Sequence, residues 1–152
     1  MIHDYERGKH MTSLQQSQYI ELMVEKEVYA IPIHEIQEII KMAPVTELPT
    51  GHPAVEGITH LRGQLVPVIS LRRMFGFSSV LPSKTTRIVI VKLLGKTFGL
   101  IADQANRVVY YPQIEPPPSF LGGITGGYFL GIARREEHLI GILRLEELLS
   151  DF

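Results

Sequence analysis

The chain contains no cysteine and no tryptophan, and neither sign of charge dominates it. Without cysteine there is no disulfide framework, thiol nucleophile, iron–sulfur cluster or cysteine-based zinc site. Fifteen lysine and arginine residues stand against sixteen aspartate and glutamate residues, for a formal net charge of -1 at pH 7. This balance argues against a nucleic-acid-binding protein, which needs a basic surface to displace counterions from phosphates.

Long apolar segments are also missing. Residues 1–17 are polar and mixed in charge, unlike a secretion signal. The uncharged segment 121–133 is too short and too rich in glycine to span a membrane, which takes about 20 apolar residues. A length of 152 residues suits one globular domain, or two very small ones sharing a core. We expect a cytoplasmic protein with a flexible leader at residues 1–17 and ordered structure from about Gln18.

Apolar residues recur mostly with a period of two, which indicates β-strands. The alternation of Ile20, Leu22 and Val24 predicts the first strand. Further strands are predicted at residues 27–33, 55–61, 64–70, 86–93, 97–102, 107–111, 128–134 and 137–143. In the hairpin at residues 55–70, Pro67 places the second strand at a sheet edge or a bulge, because proline has no N–H for the ladder.

Helical spacing is rare in the chain. Ile33, Ile36 and Ile40 recur at that spacing, which predicts one short amphipathic helix. Pro44 ends this helix, because the residue before a proline avoids helical geometry. Helical turns are also predicted at residues 71–75 and 144–150.

The two halves of the chain align without gaps in two blocks. Residues 29–49 match residues 98–118, and residues 55–75 match residues 129–149. Two long matches in the same order predict a duplicated unit of about five strands. One such unit by itself would hardly form a stable hydrophobic core. We therefore expect two like barrels that pack on a shared apolar interface. They correspond to about residues 18–80 and 85–150, and each is either contiguous or built with exchanged strands.

No motif predicts catalysis, a cofactor or a metal site. The histidines have no metal-ligand spacing, and no serine lies in a G-x-S-x-G motif. The sequence Gly95-Lys96-Thr97 imitates the end of a P-loop, but the glycine required five residues earlier is Ile90. The glycine-rich segment 122–127 could cradle an anion through its backbone N–H groups, yet no basic residue adjoins it, which favours a flexible loop.

Residues 57–72, GITHLRGQLVPVISLR, closely resemble a signature of the CheW family of chemotaxis coupling proteins, G-[VI]-x-N-L-R-G-x-x-[VI]-P-[VI]-[VI]-D-L-R. Residues 29–33 with 36–40, residues 98–103 and residues 139–149 resemble further motifs of the family, in the same order. The resemblance covers about residues 18–149. His60 stands where the family usually has Asn, and Ser70 where it usually has Asp.

The resemblance implies a mainly β fold of two similar five-stranded SH3-like barrels with a few short helices. It implies a non-enzymatic adaptor without cofactors, which couples the cytoplasmic tip of chemoreceptors to the regulatory domain of a CheA-type histidine kinase. Such an adaptor is cytoplasmic, is recruited to membrane-bound receptor arrays and can self-associate in array rings. It needs no nucleic acid and no insertion into the membrane.

Two alternatives stay open at this point. One is an adaptor, or a detached kinase regulatory domain, of a related pathway for twitching motility or gene regulation. The other is a small-barrel enzyme or ligand binder, for which the glycine-rich segment 122–127 is the pointer.

With the family as context, Arg62 and Gly63 are candidates for receptor binding, because an arginine at a hairpin tip projects several donors beyond the sheet and glycine permits the tight turn. Gln37 and Glu38, on the outer face of the predicted short helix, are further candidates. Asn106, at the matching position of the second half, is another. The family architecture implies Leu48 and Pro49 as candidates for binding the kinase.

Overall fold

The computed structural model describes residues 14–49 and 51–152. Most of the predicted leader, residues 1–13, lies outside the described residues. Leu14 is buried, and its carbonyl oxygen accepts a hydrogen bond of 2.6 Å from the Tyr19 hydroxyl. Packing is therefore already present at Leu14, before Gln18.

The described residues form short strands with a few helical turns. The strands are β1 (Tyr19–Val24), β2 (Glu27–Pro32), β3 (Ile36–Lys41), β4 (Val55–Leu61), β5 (Gln64–Ser70), β6 (Arg87–Leu93), β7 (Lys96–Ala102), β8 (Gln104–Val109), β9 (Ile114–Glu115), β10 (Phe120–Leu121), β11 (Ile124–Thr125), β12 (Phe129–Arg135) and β13 (His138–Leu143). The α-helices are α1 (Leu71–Met74) and α2 (Leu145–Leu148), and 3-10 turns lie at Ile33–Glu35 and Gly126–Tyr128.

The two larger sheets share one pattern of strands. The five-stranded sheet has the order β3-β6-β7-β5-β4, and the six-stranded sheet has the order β8-β1-β2-β13-β12-β9. In the first, the antiparallel hairpin of β4 and β5 continues into a parallel pairing of β5 with β7. In the second, the hairpin of β12 and β13 continues into a parallel pairing of β13 with β2. Each sheet thus takes strands from both halves of the chain.

Two compact units are built from interleaved segments. Of the described residues, the first comprises Leu14–Glu21, Val28–Ile33 and Arg107–Phe152. The second comprises Leu22–Glu27 and His34–Asn106, and it contains the whole five-stranded sheet. The division at residues 18–80 and 85–150, and the duplication behind it, stay predictions.

The hairpin predicted at residues 55–70 is confirmed with the expected bounds, as β4 and β5. Its inward side chains add to the core of the second unit, where Val66, Ile88 and Ile90 are fully buried. Burying an aliphatic side chain of this size stabilises a fold by about 1.5–3 kcal/mol. This core therefore holds the hairpin in a fixed register.

The short amphipathic helix predicted from Ile33, Ile36 and Ile40 is wrong. Only Ile33–Glu35 form a helical turn of the 3-10 type, and the following residues form strand β3, whose burial alternates with a period of two. Strand β3 pairs antiparallel with β6 from Ile36 to Lys41, with a register shift between Ile36 and Glu38. β-branched isoleucines favour an extended strand over a helix, and pairing with β6 decides between the two.

The sheet pairing decides between the two alternatives predicted for Pro67. Strand β5 is not an edge strand, because it lies between β4 and β7. The β4–β5 register shifts between Val55 and Gly57, opposite Ile69 and Val68, as at a β-bulge, and the ladder to β7 covers only Val68 to Ser70. One other expectation needs correction. The glycine-rich segment is not an open loop: β10 and β11 pair around a turn in which Gly122 and Gly123 have positive φ.

Candidate partner-binding site

The tip of the β4–β5 hairpin is a two-residue turn with positive φ at both positions. Arg62 has φ 50° and Gly63 has φ 80°. Such turns match the twist of the flanking strands, and glycine adopts this geometry without cost. A non-glycine residue held there costs on the order of 1 kcal/mol. The fold therefore holds the backbone of Arg62 in the left-handed region, which is unfavourable for a non-glycine residue.

Arg62 forms a two-fold ion pair with Glu38 of β3. Its Nη1 donates to Glu38 Oε1 at 2.8 Å and its Nη2 to Glu38 Oε2 at 2.5 Å. The Arg62 side chain is 68% exposed, whereas that of Glu38 is 20% exposed. The paired geometry orients the planar guanidinium, which keeps further N–H donors for a partner. The structure thus brings together two residues that the sequence proposed separately.

The structure places the other receptor-binding candidates on strands β3 and β8. Gln37 precedes Glu38 in β3 and is exposed, while Glu38 is half-buried. Asn106 is exposed on β8, at the edge of the six-stranded sheet. The expectation that these three residues lie on helices is wrong, because all three lie on strands. Gly63 is the second residue of the turn that contains Arg62.

A groove of about 510 Å³ lies on the second unit beside the β4–β5 hairpin. Leu48 lines it, 42% exposed, together with Leu65, which is 62% exposed. The remaining lining residues are Ala43, Pro44, Thr46, Ile58, Thr59 and His60. Pro49 follows Leu48 and is exposed. The groove is therefore mainly apolar, and none of its lining residues is acidic, lysine or arginine.

The segment that forms one wall of this groove is fixed to β4. The backbone N–H of Thr46 donates to Ile58 O at 2.8 Å, and the N–H of Ile58 donates to Thr46 O at 2.9 Å. Gly57 makes this approach possible, because a Cβ at Gly57 would lie 2.0 Å from Thr46 O. Thr59 Oγ1 adds a hydrogen bond of 2.9 Å to Pro44 O. The groove is thus preformed by backbone contacts.

An ion-pair network on the same unit joins three separate segments. Arg72 donates to both carboxylate oxygens of Asp103, at 2.8 and 2.7 Å, and forms an ion pair of 2.6 Å with Glu25. The backbone N–H of Glu25 also donates to Asp103 Oδ2 at 2.8 Å. The hydrogen bond with Asp103 is the main cause that raises the pKa of Arg72. This network fixes the turn after β1, helix α1 and the end of β7.

The first unit contains a fully buried carboxylate, Glu21. Its Oε2 accepts a hydrogen bond of 2.7 Å from the Tyr111 hydroxyl, and its Oε1 accepts one of 2.7 Å from Arg135 Nη2. Arg107 Nε lies 3.7 Å from Oε1. Burial, followed by the hydrogen bond to Glu21, raises the pKa of Tyr111. Sequence reasoning missed this cluster because its members lie far apart in the chain.

Within residues 14–49 and 51–152, no group of three or more histidine, aspartate or glutamate side chains is placed to hold a metal ion. In the same part of the chain, no helix is both long and apolar enough to cross a membrane.

The two larger sheets share one strand pattern, as expected for a fold of two SH3-like subdomains. Comparison with known proteins identifies the family. Residues 18–152 match the family model of the CheW-like domain. The chain belongs to the CheW family. It is a non-enzymatic scaffold that couples chemoreceptors to the CheA kinase in chemotaxis.

Individual relatives agree with this family. The chemotaxis protein CheW of Helicobacter pylori is 34% identical over 135 residues, which cover 88% of this chain and 81% of the relative. The CheW of Bacillus subtilis is 31% identical over 126 residues, which cover 82% of this chain and 81% of the relative. The crystal structure of the scaffolding protein TtCheW from Thermoanaerobacter tengcongensis superposes with a TM-score of 0.80 at 34% identity, covering 87% of this chain and 86% of that one.

Proposed function

We propose that this chain binds the cytoplasmic tip of a chemoreceptor through the surface around Arg62 and Glu38. We further propose that it binds the regulatory domain of a CheA-type histidine kinase through the groove that contains Leu48. It does so in the cytoplasm, at membrane-bound receptor arrays. The observation that carries the proposal is the ion pair of Arg62 with Glu38, which presents an oriented guanidinium at an exposed hairpin tip.

The Arg62–Glu38 pair suits a receptor contact for two reasons. A surface ion pair adds only about 0–1 kcal/mol to stability, so the folded state needs it little. An arginine already held by one carboxylate loses less side-chain entropy when a partner carboxylate or carbonyl binds its remaining donors. Gly63 supports the contact by permitting the turn, and the exposed Gln37 adjoins it on β3. Asn106 stays a separate prediction on β8.

The groove suits the kinase because it is concave, preformed and mainly apolar. The exposed side chains of Leu48 and Leu65 would be removed from water by a partner, at about 25 cal/mol per Å² of buried apolar surface. Pro49 restricts the backbone next to Leu48, which lowers the entropy cost of ordering that segment. A matching apolar side chain from the kinase domain would fill the groove.

Titration calorimetry against a receptor-tip fragment and against an isolated kinase regulatory domain tests the two surfaces separately. Arg62→Glu should weaken binding of the receptor fragment about tenfold or more, the loss of one central contact, and leave the kinase affinity unchanged. Leu48→Glu should do the reverse. Each variant is thus the control for the other, and both should unfold at the wild-type temperature.

A charge exchange separates contact from positioning. In the double variant Arg62→Glu with Glu38→Arg, the ion pair can form again with its partners exchanged. If Arg62 touches the receptor, receptor binding stays weak in the double variant. Full recovery would assign Arg62 a purely positioning role, and unchanged binding in Arg62→Glu alone would refute the receptor surface. Self-association in rings stays a prediction, which sedimentation of the isolated chain can test.

A further inference from the structure

Three cationic residues of the second unit lie on segments that meet at one end of strands β3 and β6. The register of β3 and β6 places Lys41 directly opposite Arg87. Arg87 Nη1 donates hydrogen bonds of 2.9 Å to the carbonyls of Lys84 and Thr86, which brings the segment with Lys84 next to the same strand end. We call the set of Lys41, Lys84 and Arg87 the basic corner.

The fold does not neutralise the basic corner. No aspartate or glutamate occurs between Glu56 and Asp103, so strands β4 to β7, apart from Glu56 itself, supply no carboxylate. The carboxylates of neighbouring elements, those of Glu38, Glu56 and Asp103, are each paired with another arginine. In the part of the chain that the structure describes, the three cations form no ion pair. Like charges directly opposite each other destabilise an antiparallel pair.

We propose that the basic corner is a docking site for a carboxylate-rich segment of a protein partner. A local excess of three positive charges in a chain whose net charge is -1 is complementary to such a segment and would steer its approach. The side chain of Ile39, 36% exposed and two residues before Lys41 in β3, offers an apolar contact beside the charges. Bound carboxylates would relieve the repulsion between Lys41 and Arg87.

A protein segment fits this surface better than a nucleic acid. Three cations at one strand end make a compact spot, whereas nucleic acids are bound by basic stripes that follow many phosphates. The basic corner contains neither the Arg62–Glu38 pair nor a residue that lines the apolar groove. Its test therefore uses variants different from those that test the receptor and kinase contacts.

The chain offers a matched control for the experiment. Lys92 and Lys96 are exposed, have no ion pair in the described residues, and lie at the other end of strands β6 and β7. A rise of about 3.3 Å per residue puts Lys92 roughly 17 Å along β6 from Arg87. The double variants Lys41→Glu with Lys84→Glu, and Lys92→Glu with Lys96→Glu, change the net charge equally within the second unit.

A hexaglutamate peptide, titrated into the full ¹⁵N-labelled chain and followed by NMR, measures docking directly. We expect shifts concentrated at the amides of Lys41, Lys84 and Arg87. The Lys41→Glu, Lys84→Glu variant should bind about fivefold more weakly or worse, and the Lys92→Glu, Lys96→Glu variant should bind as the wild type does. Raising the salt from 0.1 to 1 M should abolish binding, because the screening length falls from about 10 Å to about 3 Å.

Several outcomes would overturn the proposal. Shifts spread over the whole surface, or an equal loss in both double variants, would mean that the peptide responds to net charge alone. Inorganic phosphate that bound the same amides more tightly than the peptide would mean a simple anion site. Unfolding of the Lys41→Glu, Lys84→Glu variant is not expected, because a glutamate at position 41 faces Arg87. Circular dichroism checks this, and Lys41→Gln with Lys84→Gln repeats the test without new charges, with weaker binding again expected.

Discussion

Glu21→Gln should destabilise the chain by about 2–3 kcal/mol, because it removes a buried negative charge that two arginines share. Glu21 is fully buried, and its carboxylate accepts hydrogen bonds of 2.7 Å from both Tyr111 and Arg135. Glutamine has nearly the same shape and keeps one oxygen for the Tyr111 hydroxyl. The substitution therefore removes the charge and leaves the packing of the first unit intact.

The expected loss of stability in Glu21→Gln depends on how exposed Arg135 is to water. Breaking a buried ion pair costs about 3–5 kcal/mol when the remaining charge has no water. The Arg135 side chain is 32% exposed, so water compensates part of this loss and the expected cost is lower. In a chain of this length, 1 kcal/mol shifts the melting temperature by about 2–4 °C. Glu21→Gln should therefore lower it by about 4–12 °C.

Urea unfolding followed by circular dichroism measures this cost. Arg107→Gln is the control, because Arg107 Nε lies 3.7 Å from Glu21 and its side chain is 57% exposed. This control should cost less than about 1 kcal/mol, as exposed ion pairs do. If Glu21→Gln cost no more than Arg107→Gln, the buried carboxylate would not stabilise the first unit in the way described.

Three further predictions concern single residues. Tyr111→Phe should flatten the loss of stability above about pH 10, because burial raises the pKa of Tyr111 and the unfolded chain then releases this proton before the folded chain does. In urea unfolding at pH 9 to 11, the wild type should lose up to about 1.4 kcal/mol more per pH unit than the variant. Gly57→Ala, with φ at +150° and a Cβ 2.0 Å from Thr46 O, should cost about 2 kcal/mol or more in the same assay, and an unchanged midpoint would contradict the close approach. Asp103→Asn should weaken the network of Arg72 and speed hydrogen exchange at the Glu25 amide, whereas exchange at wild-type rate would remove Asp103 from that role.

Local patterns in the sequence predicted the hairpins well. Strands β4 and β5 have the expected bounds because alternating side chains and the Arg62-Gly63 turn agree with each other. The hairpin of β6 and β7 was also predicted, but its turn lies at Leu94-Gly95, one residue before the expected Gly95-Lys96. Strand β7 follows this turn, where a P-loop would need a helix. These features depend on neighbours in the chain, which a single sequence displays directly.

The segment at Ile33 to Ile40 could not be decided locally. Its isoleucines fit a helical spacing and an alternating strand about equally, and the partner that decides between them, β6, begins at Arg87. The error also moved Gln37 and Glu38 from a helix face to a strand, where one is exposed and the other half-buried. Pairing with a distant strand outweighed the local periodicity.

The long-range ion pairs could not be predicted from the sequence. Glu38 and Arg62 are 24 residues apart, and Glu21 lies 114 residues from Arg135. Nothing in the spacing of charged residues links such partners, because the fold rather than the chain brings them together. The family motif made Arg62 a candidate, and only the geometry supplied the carboxylate that orients it.

The most direct test of the proposed coupling is kinase autophosphorylation in a reconstituted mixture of receptor fragment, kinase and this chain. We expect the wild-type chain to make the autophosphorylation rate depend on the state of the receptor. The Arg62→Glu variant, folded to the same melting temperature, should leave the kinase rate independent of the receptor. A rate that stays independent of the receptor with the wild-type chain, or equal coupling by Arg62→Glu, would contradict the account.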